Sequence, residues 1–241
     1  MPSRVFMVLL MSIAMLQPPM ANAALPLDAM AIEQSLAELG LPVGKVDGIW
    51  DKDTGRATCV WRELTGRAVL RSWPVVLERP AIKATQELRI PRTFRRGLNI
   101  NVQCQTATWV ATEQVFVDVT TVDEVTGETV TVTTPGVRNI IRRVMPVSTG
   151  MSSFPTMPGI HKVGWRVDRW WQSTIYPDGR MYRPMFFHNG MAIHGSSGDE
   201  LVKWFPASHG CVRMLHADVD ALWDGDFGVG SVVNIYGTWR G

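Results

Sequence analysis

The sequence lacks a strong charge of either sign. Its 241 residues hold 24 Lys and Arg against 22 Asp and Glu, a formal net charge of +2. A balance this close to neutral creates no long-range field that would steer a polyanion, so we expect no nucleic-acid partner. Beyond the N-terminus no apolar run approaches membrane-spanning length. There is also no HExxH motif, no paired CxxC and no evident internal repeat, which argues against the common zinc motifs and repeat architectures.

The first 23 residues have the three parts of a secretory signal peptide. Arg4 precedes an apolar run over residues 5–16, and Ala21-Asn22-Ala23 forms an A-x-A end. We therefore expect cleavage after Ala23 and export of the mature chain without a transmembrane anchor. The run is short for a membrane span, and a retained N-terminal anchor is the alternative.

Cysteine is scarce, with only Cys59, Cys104 and Cys211 in the chain. Disulfides persist outside the cytoplasm, and an odd count then leaves one thiol over. If Cys211 stays free for chemistry, Cys59 and Cys104 are the candidate disulfide pair. Two separately buried thiols are the alternative, because connectivity cannot be read from sequence.

The segment around Cys211 predicts a nucleophilic thiol. His194-Gly195 lies 17 positions before Cys211, and His209-Gly210 directly precedes it. Only the thiolate is a strong nucleophile, and a neighbouring imidazole can take the thiol proton. We therefore predict a cysteine nucleophile with a histidine base. The alternative is a buried cysteine in a tight turn.

These motifs also carry a family resemblance. The IHG that ends at Gly195 and the SHGCVRM of residues 208–214 resemble the active-site signature of the L,D-transpeptidases, cysteine enzymes that cross-link bacterial peptidoglycan. PVSTG at 146–150 and TMPG at 156–159 are similar to that family's upstream strand and turn. The resemblance implies a mainly β catalytic domain over residues 98–241, an L,D-transpeptidase-like β-sandwich with few helices.

The resemblance assigns roles to the residues around the thiol. His194 is the implied proton acceptor, held through its other ring nitrogen by a backbone carbonyl. His209 is implied to support the oxyanion site or the turn, and a packed structural histidine is its alternative. A glycine before the nucleophile permits a sharp bend and close substrate approach, so the amides of Gly210 and Cys211 are candidate oxyanion donors.

Substrate binding is predicted for Arg213 and for an aromatic flap. A guanidinium can pair with a stem-peptide carboxylate in a forked geometry, and a surface cation is the alternative for Arg213. The resemblance implies a flap over the donor site, within the aromatic segment 164–187. The remaining candidates are Tyr182, preferred over Trp171 and Tyr176, together with Gly195 and Ser208.

The implied reaction is peptidoglycan cross-linking in the cell envelope, either periplasm or cell wall. Cys211 would form an acyl-thioester with a stem peptide, and an amine would resolve it to a 3→3 cross-link. The partners are stem peptides and glycan, with no metal and no organic cofactor. One alternative is a carboxypeptidase or hydrolase in which water attacks the same thioester. A second is a zinc peptidase that would draw its ligands from His161, His188, His194, His209, Cys211 and His216.

The N-terminal part predicts a small all-α domain over residues 27–66. Apolar spacing predicts a helix at 27–40, and Asp51 or Asp53 can cap a second helix that ends at Gly66. This block resembles the peptidoglycan-binding domain found beside cell-wall enzymes, and a structural spacer is the alternative. We interpret residues 67–97 as a linker with one short helical turn around 81–88. Strands are predicted at 99–119, 129–134, 138–148 and 159–167, a hairpin turn at Thr126-Gly127, and helical segments at 199–205 and 217–223.

Overall fold

The computed structural model describes residues 26–176 and 179–240. The predicted signal peptide, residues 1–23, lies outside the described residues. In the described part of the chain, no helix combines the length and the apolarity needed to cross a membrane.

Two helices form the N-terminal block, α1 (Pro26–Glu38) and α2 (Lys52–Leu64). Asp51 begins α2 as predicted, because its carboxylate accepts the backbone N–H groups of Asp53 and Thr54, both at 2.9 Å. The buried carboxylate of Glu33 in α1 organises the turn between the helices: it accepts from the Thr54 hydroxyl at 2.8 Å and from two turn amides. Local hydrogen bonding therefore fixes the angle at which the second helix starts.

The helical block shares its hydrophobic core with the sheet. A short 3₁₀ turn (Val76–Glu78) leads into α3 (Arg79–Ala84) within the segment predicted as a linker. Ile82 of α3 is fully buried, in the same cluster as Trp61 of α2. That cluster also contains Val110 and Val144, which belong to the β-sheet. A disulfide joins Cys59 of α2 to Cys104, so the block is tied covalently to the sheet as well.

The rest of the chain is mainly β, which confirms the predicted fold class. One mixed sheet has the strand order β4-β10-β1-β2-β3-β9-β8-β7-β5, with β6 also paired to β7. The β1–β10 and β8–β9 pairs are parallel, and the other pairs are antiparallel. The strands are β1 (Gly97–Asn101), β2 (Thr106–Val122), β3 (Thr129–Ser148), β4 (Gly159–Lys162), β5 (Trp165–Arg166), β6 (Trp170–Gln172), β7 (Arg180–His188), β8 (Met191–Gly195), β9 (Val212–Met214) and β10 (Val232–Tyr236).

The main hydrophobic core lies between this sheet and one helix, α4 (His216–Asp224). Val219 and Leu222 of α4 pack against buried side chains of the sheet, among them Ile193 of β8 and Val212 of β9. Both β8 and β9 are thereby fixed from one face. Their other face carries the residues that the sequence predicts to be functional.

Several predicted elements differ from the structure. The strand predicted at 99–119 is divided into β1 and β2, and the one predicted at 159–167 into β4 and β5. Residues 129–134 and 138–148, predicted as separate strands, form one long strand, β3, which pairs with β2 along its length. Residues 199–205, predicted to be helical, contain only a 3₁₀ turn at Asp199–Leu201. The later carbonyls of that segment bond to side chains instead: those of Lys203, Trp204 and Phe205 accept from Arg56, Arg71 and Ser148, respectively. Tertiary partners thus replace a helix here.

Candidate active site

Cys211 opens into a cavity of about 320 Å³ on the outer face of β8 and β9. Five of the predicted site residues line it, namely Cys211, His194, His209, Ser208 and Arg213. The remaining wall comes from the predicted flap segment together with the start of β7, and from two segments that the motifs did not indicate, the β7–β8 turn and the loop after β8. Their lining residues are Asn189, Gly190, Met191, Ser196, Ser197, Leu201, Ser173, Ile175, Tyr176, Gly179, Arg180 and Met181.

The thiol of Cys211 is free and half-buried. The parallel β8–β9 register pairs Ile193 with Val212. The residues that precede them, Ala192 and Cys211, therefore lie side by side. Accordingly, the Ala192 N–H donates to the Cys211 Sγ at 3.4 Å. Burial raises the pKa of the thiol, and the Ala192 hydrogen bond and the positive charge of Arg213 partly oppose that rise.

A tight turn presents the thiol, and Ser208 holds this turn together. The Ser208 hydroxyl donates to the Cys211 carbonyl and accepts the Gly210 N–H at 3.2 Å. Gly210 has φ +108°, a conformation that requires glycine. Gly150, the last residue of the PVSTG motif, packs closely against this turn, since a Cβ on Gly150 would lie 2.9 Å from the Gly210 Cα. The Gly210 amide, a candidate oxyanion donor, is therefore engaged within the turn.

A backbone carbonyl fixes the orientation of the His194 ring. Its Nδ1 lies 2.8 Å from the Gly195 carbonyl oxygen, and since a carbonyl only accepts, Nδ1 carries the hydrogen and Nε2 keeps a lone pair. The imidazole is buried, and this burial lowers its pKa to about 4, with the positive charge of Arg213 acting in the same direction. The ring is therefore neutral near pH 7 and able to accept a proton.

Arg213 is one of two arginines in the cavity wall, the other being Arg180. The β8–β9 register pairs it with His194, and it lines the cavity together with the thiol. Burial lowers its pKa, while the Coulomb interaction with Cys211 raises it. A guanidinium this close favours the thiolate over the thiol and disfavours an imidazolium.

His209 lines the cavity and contacts the flap segment. Its exposed ring stacks on Tyr176, with 4.5 Å between centroids and 25° between planes. It also makes an edge contact with Phe154 at 5.1 Å. The backbone amides of Ile175 and Tyr176 donate to the Ser173 hydroxyl at 3.3 and 3.0 Å, which holds this part of the flap in a tight turn.

Tyr182 and Gly195, both predicted to bind substrate, do not line the cavity. The β7–β8 register pairs them with each other and turns the Tyr182 ring towards His216, 4.7 Å away. The Tyr182 hydroxyl donates to Asp220 of α4 at 2.9 Å. A Cβ on Gly195 would lie 2.4 Å from the His216 ring, so this glycine permits close packing. Of the three aromatic candidates, Tyr176 is the one in the cavity wall.

The histidines named for a zinc site are not placed to bind one metal ion together. His161 and His188 pack on one another at 4.8 Å, whereas His216 lies 2.6 Å from the Ser196 carbonyl oxygen. Over residues 26–176 and 179–240, no group of three or more His, Cys, Asp or Glu side chains is placed to hold a metal ion.

The helical block reaches the wall of this cavity. Leu201 lines the cavity, and the segment that follows it is held by two arginines from the N-terminal part. Arg56 donates to the Lys203 carbonyl at 3.1 Å, and Arg71 to the Trp204 carbonyl at 2.9 Å. The Arg71 guanidinium also lies over the Trp239 ring at 3.7 Å. The helical block, through Arg56, and the connecting segment, through Arg71, therefore hold the stretch of chain next to the cavity wall.

A cysteine and a histidine that share one cavity of a mainly β domain are side chains that acyl transfer or hydrolysis through a thiol requires. Comparisons with known proteins indicate the family. Residues 119–234 match the YkuD family, described as the L,D-transpeptidase catalytic domain. This chain therefore carries a YkuD L,D-transpeptidase catalytic domain, a family that acts on peptidoglycan.

One solved structure shares the fold, and a second is only a weaker match. An L,D-transpeptidase from Xylanimonas cellulosilytica DSM 15894 is 23% identical with a TM-score of 0.54, over 87% of this chain and 93% of that one. An L,D-transpeptidase from Stackebrandtia nassauensis is 19% identical with a TM-score of 0.47, over 88% and 92% of the two chains. Among curated proteins, nothing matches this chain significantly.

Proposed function

We propose that this protein is a cysteine-dependent L,D-transpeptidase that forms 3→3 cross-links between peptidoglycan stem peptides. The observation that carries the proposal is the pairing of a free thiol, Cys211, with a histidine in the same cavity whose Nε2 is left as an acceptor. A nucleophile and an oriented base are the minimum that acyl transfer through a covalent intermediate requires.

In the resting site the thiol and the imidazole are both neutral. Burial raises the pKa of Cys211 and lowers that of His194, so an ion pair is disfavoured before substrate binds. The proton therefore moves from Sγ to the His194 Nε2 as Sγ attacks the carbonyl of the third stem residue. Arg213 stabilises the negative charge that develops on sulfur. The Cys211 amide, with the Gly210 amide if Ser208 releases it, would donate to the oxyanion.

The intermediate then breaks down in two steps. The C–N bond to the terminal D-alanine breaks, the departing amine takes the proton held by His194, and a thioester remains. The amine of a neighbouring stem attacks this thioester, His194 accepts a proton from it, and the thiol is regenerated. Tyr176 and His209 at the mouth exclude water from the thioester, which favours an amine acceptor over hydrolysis.

We further propose an envelope location for the enzyme, with secretion directed by residues 1–23. A disulfide between Cys59 and Cys104 supports this, since such bonds persist in oxidising compartments. The proposed organisation is a peptidoglycan-binding block at 27–66, a connecting segment at 67–97 and a catalytic domain at 98–241. Because the block shares a core with the sheet, wall binding is best tested with the whole Cys211→Ala chain on insoluble wall.

The nucleophile is tested by incubating the mature protein with a carbapenem, a cyclic acyl donor that mimics the stem, and measuring intact mass. We expect one covalent adduct on the wild type and none on Cys211→Ala. An adduct of equal yield on both proteins would contradict the assignment. Activity on stem peptide that is lost with a chelator and restored by zinc would favour the metal peptidase instead.

A further inference from the structure

The edge of the sheet beside the active site carries an exposed tryptophan with one open ring face. Trp165 of β5 is 46% exposed. It stacks on Phe186 with 3.8 Å between centroids and 11° between planes, and meets the edge of Trp171 at 5.6 Å. Because Phe186 covers one face of the indole, the exposed surface of Trp165 lies on the opposite face and on the ring edges. The indole is therefore held by two aromatic neighbours and is still open to solvent.

Trp165 shares a sheet face with the nucleophile. Trp165 pairs with Phe186, and Phe186 with Ala192; the Ala192 amide in turn reaches the Cys211 sulfur. Successive side chains along a strand alternate between faces, and the neighbours Met185, Ile193 and Val212 all point into the main core on the opposite side. Cys211 packs against the same small cluster as Phe186 and Trp171. These side chains therefore form one row across the sheet, from Cys211 to the edge.

The length of this row matches the substrate. Three strand spacings of about 4.8 Å place Trp165 about 14 Å from Cys211. In a stem peptide, three residues separate the scissile carbonyl from the sugar that bears the stem, which is about 10 Å of extended chain. The lactyl ether and the sugar ring span the remaining few ångströms. A stem acylated on Cys211 thus has the reach to bring its own sugar to the sheet edge.

We propose that Trp165 is a stacking platform for the saccharide that carries the donor stem. This inference rests on the proposed function, and it adds a binding site for the glycan on the catalytic domain itself. The open indole face is apolar and flat, which suits the C–H face of a pyranose ring. The neighbouring Trp170 is a poorer platform, because Arg180 lies over its ring at 4.8 Å and its ring meets Tyr182 and His216.

Binding without turnover tests the platform directly. In the Cys211→Ala background, the dissociation constants of a disaccharide-tetrapeptide and of the same tetrapeptide without sugar are measured by calorimetry. We expect the disaccharide donor to bind more tightly, and Trp165→Ala to weaken only that donor, by roughly three- to tenfold. Trp165→Phe keeps an aromatic face and should restore most of the preference. Phe116→Ala, which removes an exposed ring on the β2–β3 ribbon, is the matched control.

Equal weakening of both donors by Trp165→Ala would overturn the platform, since loss of packing on Phe186 disturbs the peptide-binding part of the site and therefore acts on both donors alike. Absence of any preference for the disaccharide donor would overturn it too. Turnover is measured separately with proteins that keep Cys211. If the wild type neither releases D-alanine nor forms dimers while the sugar preference depends on Trp165, the proposed transpeptidation fails and the saccharide site stands.

Discussion

At the scale of single residues, the site depends on how burial shifts the pKa values of two side chains, Cys211 and His194. The same low-dielectric surroundings raise the pKa of Cys211 and lower that of His194. Each shift disfavours the charged form of its group. In the proposed mechanism the resting thiol is therefore a weak nucleophile, which loses its proton to His194 only as it attacks the substrate carbonyl.

The pKa of His194 sets an expected pH profile for acylation. The imidazole loses its role as base only when it is protonated, so kcat/KM for carbapenem acylation should stay near its maximum at pH 6 and fall as the pH drops through about 4. Stopped-flow acylation between pH 3.5 and 8 measures this. An acidic limb centred near 6.5, the ordinary histidine value, would contradict a buried neutral base.

The same shift makes a prediction for stability. The unfolded chain binds a proton at His194 below about pH 6.5, while the folded chain does so only below about 4, so stability falls as the pH drops between these values. The full difference is about 3 kcal/mol. Urea unfolding at pH 7 and at pH 4.5 should show a smaller loss for His194→Gln than for the wild type. Equal losses would mean that the folded chain protonates this ring readily.

At the scale of elements, the segment after β8 is shaped by partners that are distant in sequence. Arg56 and Arg71 hold the carbonyls of Lys203 and Trp204, and Leu201 just before them lines the cavity. We expect Arg71→Ala to loosen that wall and raise KM for the stem-peptide donor several-fold with a smaller change in kcat. Steady-state release of D-alanine separates the two constants.

Two variants sharpen the Arg71 experiment. Arg71→Lys keeps a cation beside Trp204 and Trp239 and should recover part of the loss, whereas Arg92→Ala, on an exposed arginine of the connecting segment, should change nothing. A fall in kcat at unchanged KM would contradict a role in shaping the binding wall.

Local patterns predicted the elements that depend on local interactions. The Asp51 cap, the extent of α2 and the turn glycine at 210 follow from residues a few positions apart, and the sequence anticipated all three. Residues 199–205 and Tyr182 show what local patterns cannot predict. At 199–205 the predicted helix is replaced by contacts to Arg56 and Arg71, which lie more than a hundred residues away in the sequence. For Tyr182, the register between β7 and β8 determines that its side chain faces α4. Such pairings leave no local signal.

At the scale of the whole molecule, the helical block and the sheet form one structure. They share a hydrophobic cluster and a disulfide between Cys59 and Cys104. We expect the double variant Cys59→Ser with Cys104→Ser to lose about 2–4 kcal/mol of stability, measured by thermal or urea unfolding. Alkylation of the folded wild type without reductant should modify Cys211 alone; modification of two or three cysteines would contradict the bridge.

The central claim is that one sulfur passes an acyl group from one stem to another. Purified wall with tetrapeptide stems is incubated with the protein, digested with a muramidase and analysed by tandem mass spectrometry. We expect 3→3 linked dimers with the wild type and none with Cys211→Ala. Shortened monomers without dimers, or dimers in equal yield from both proteins, would contradict it.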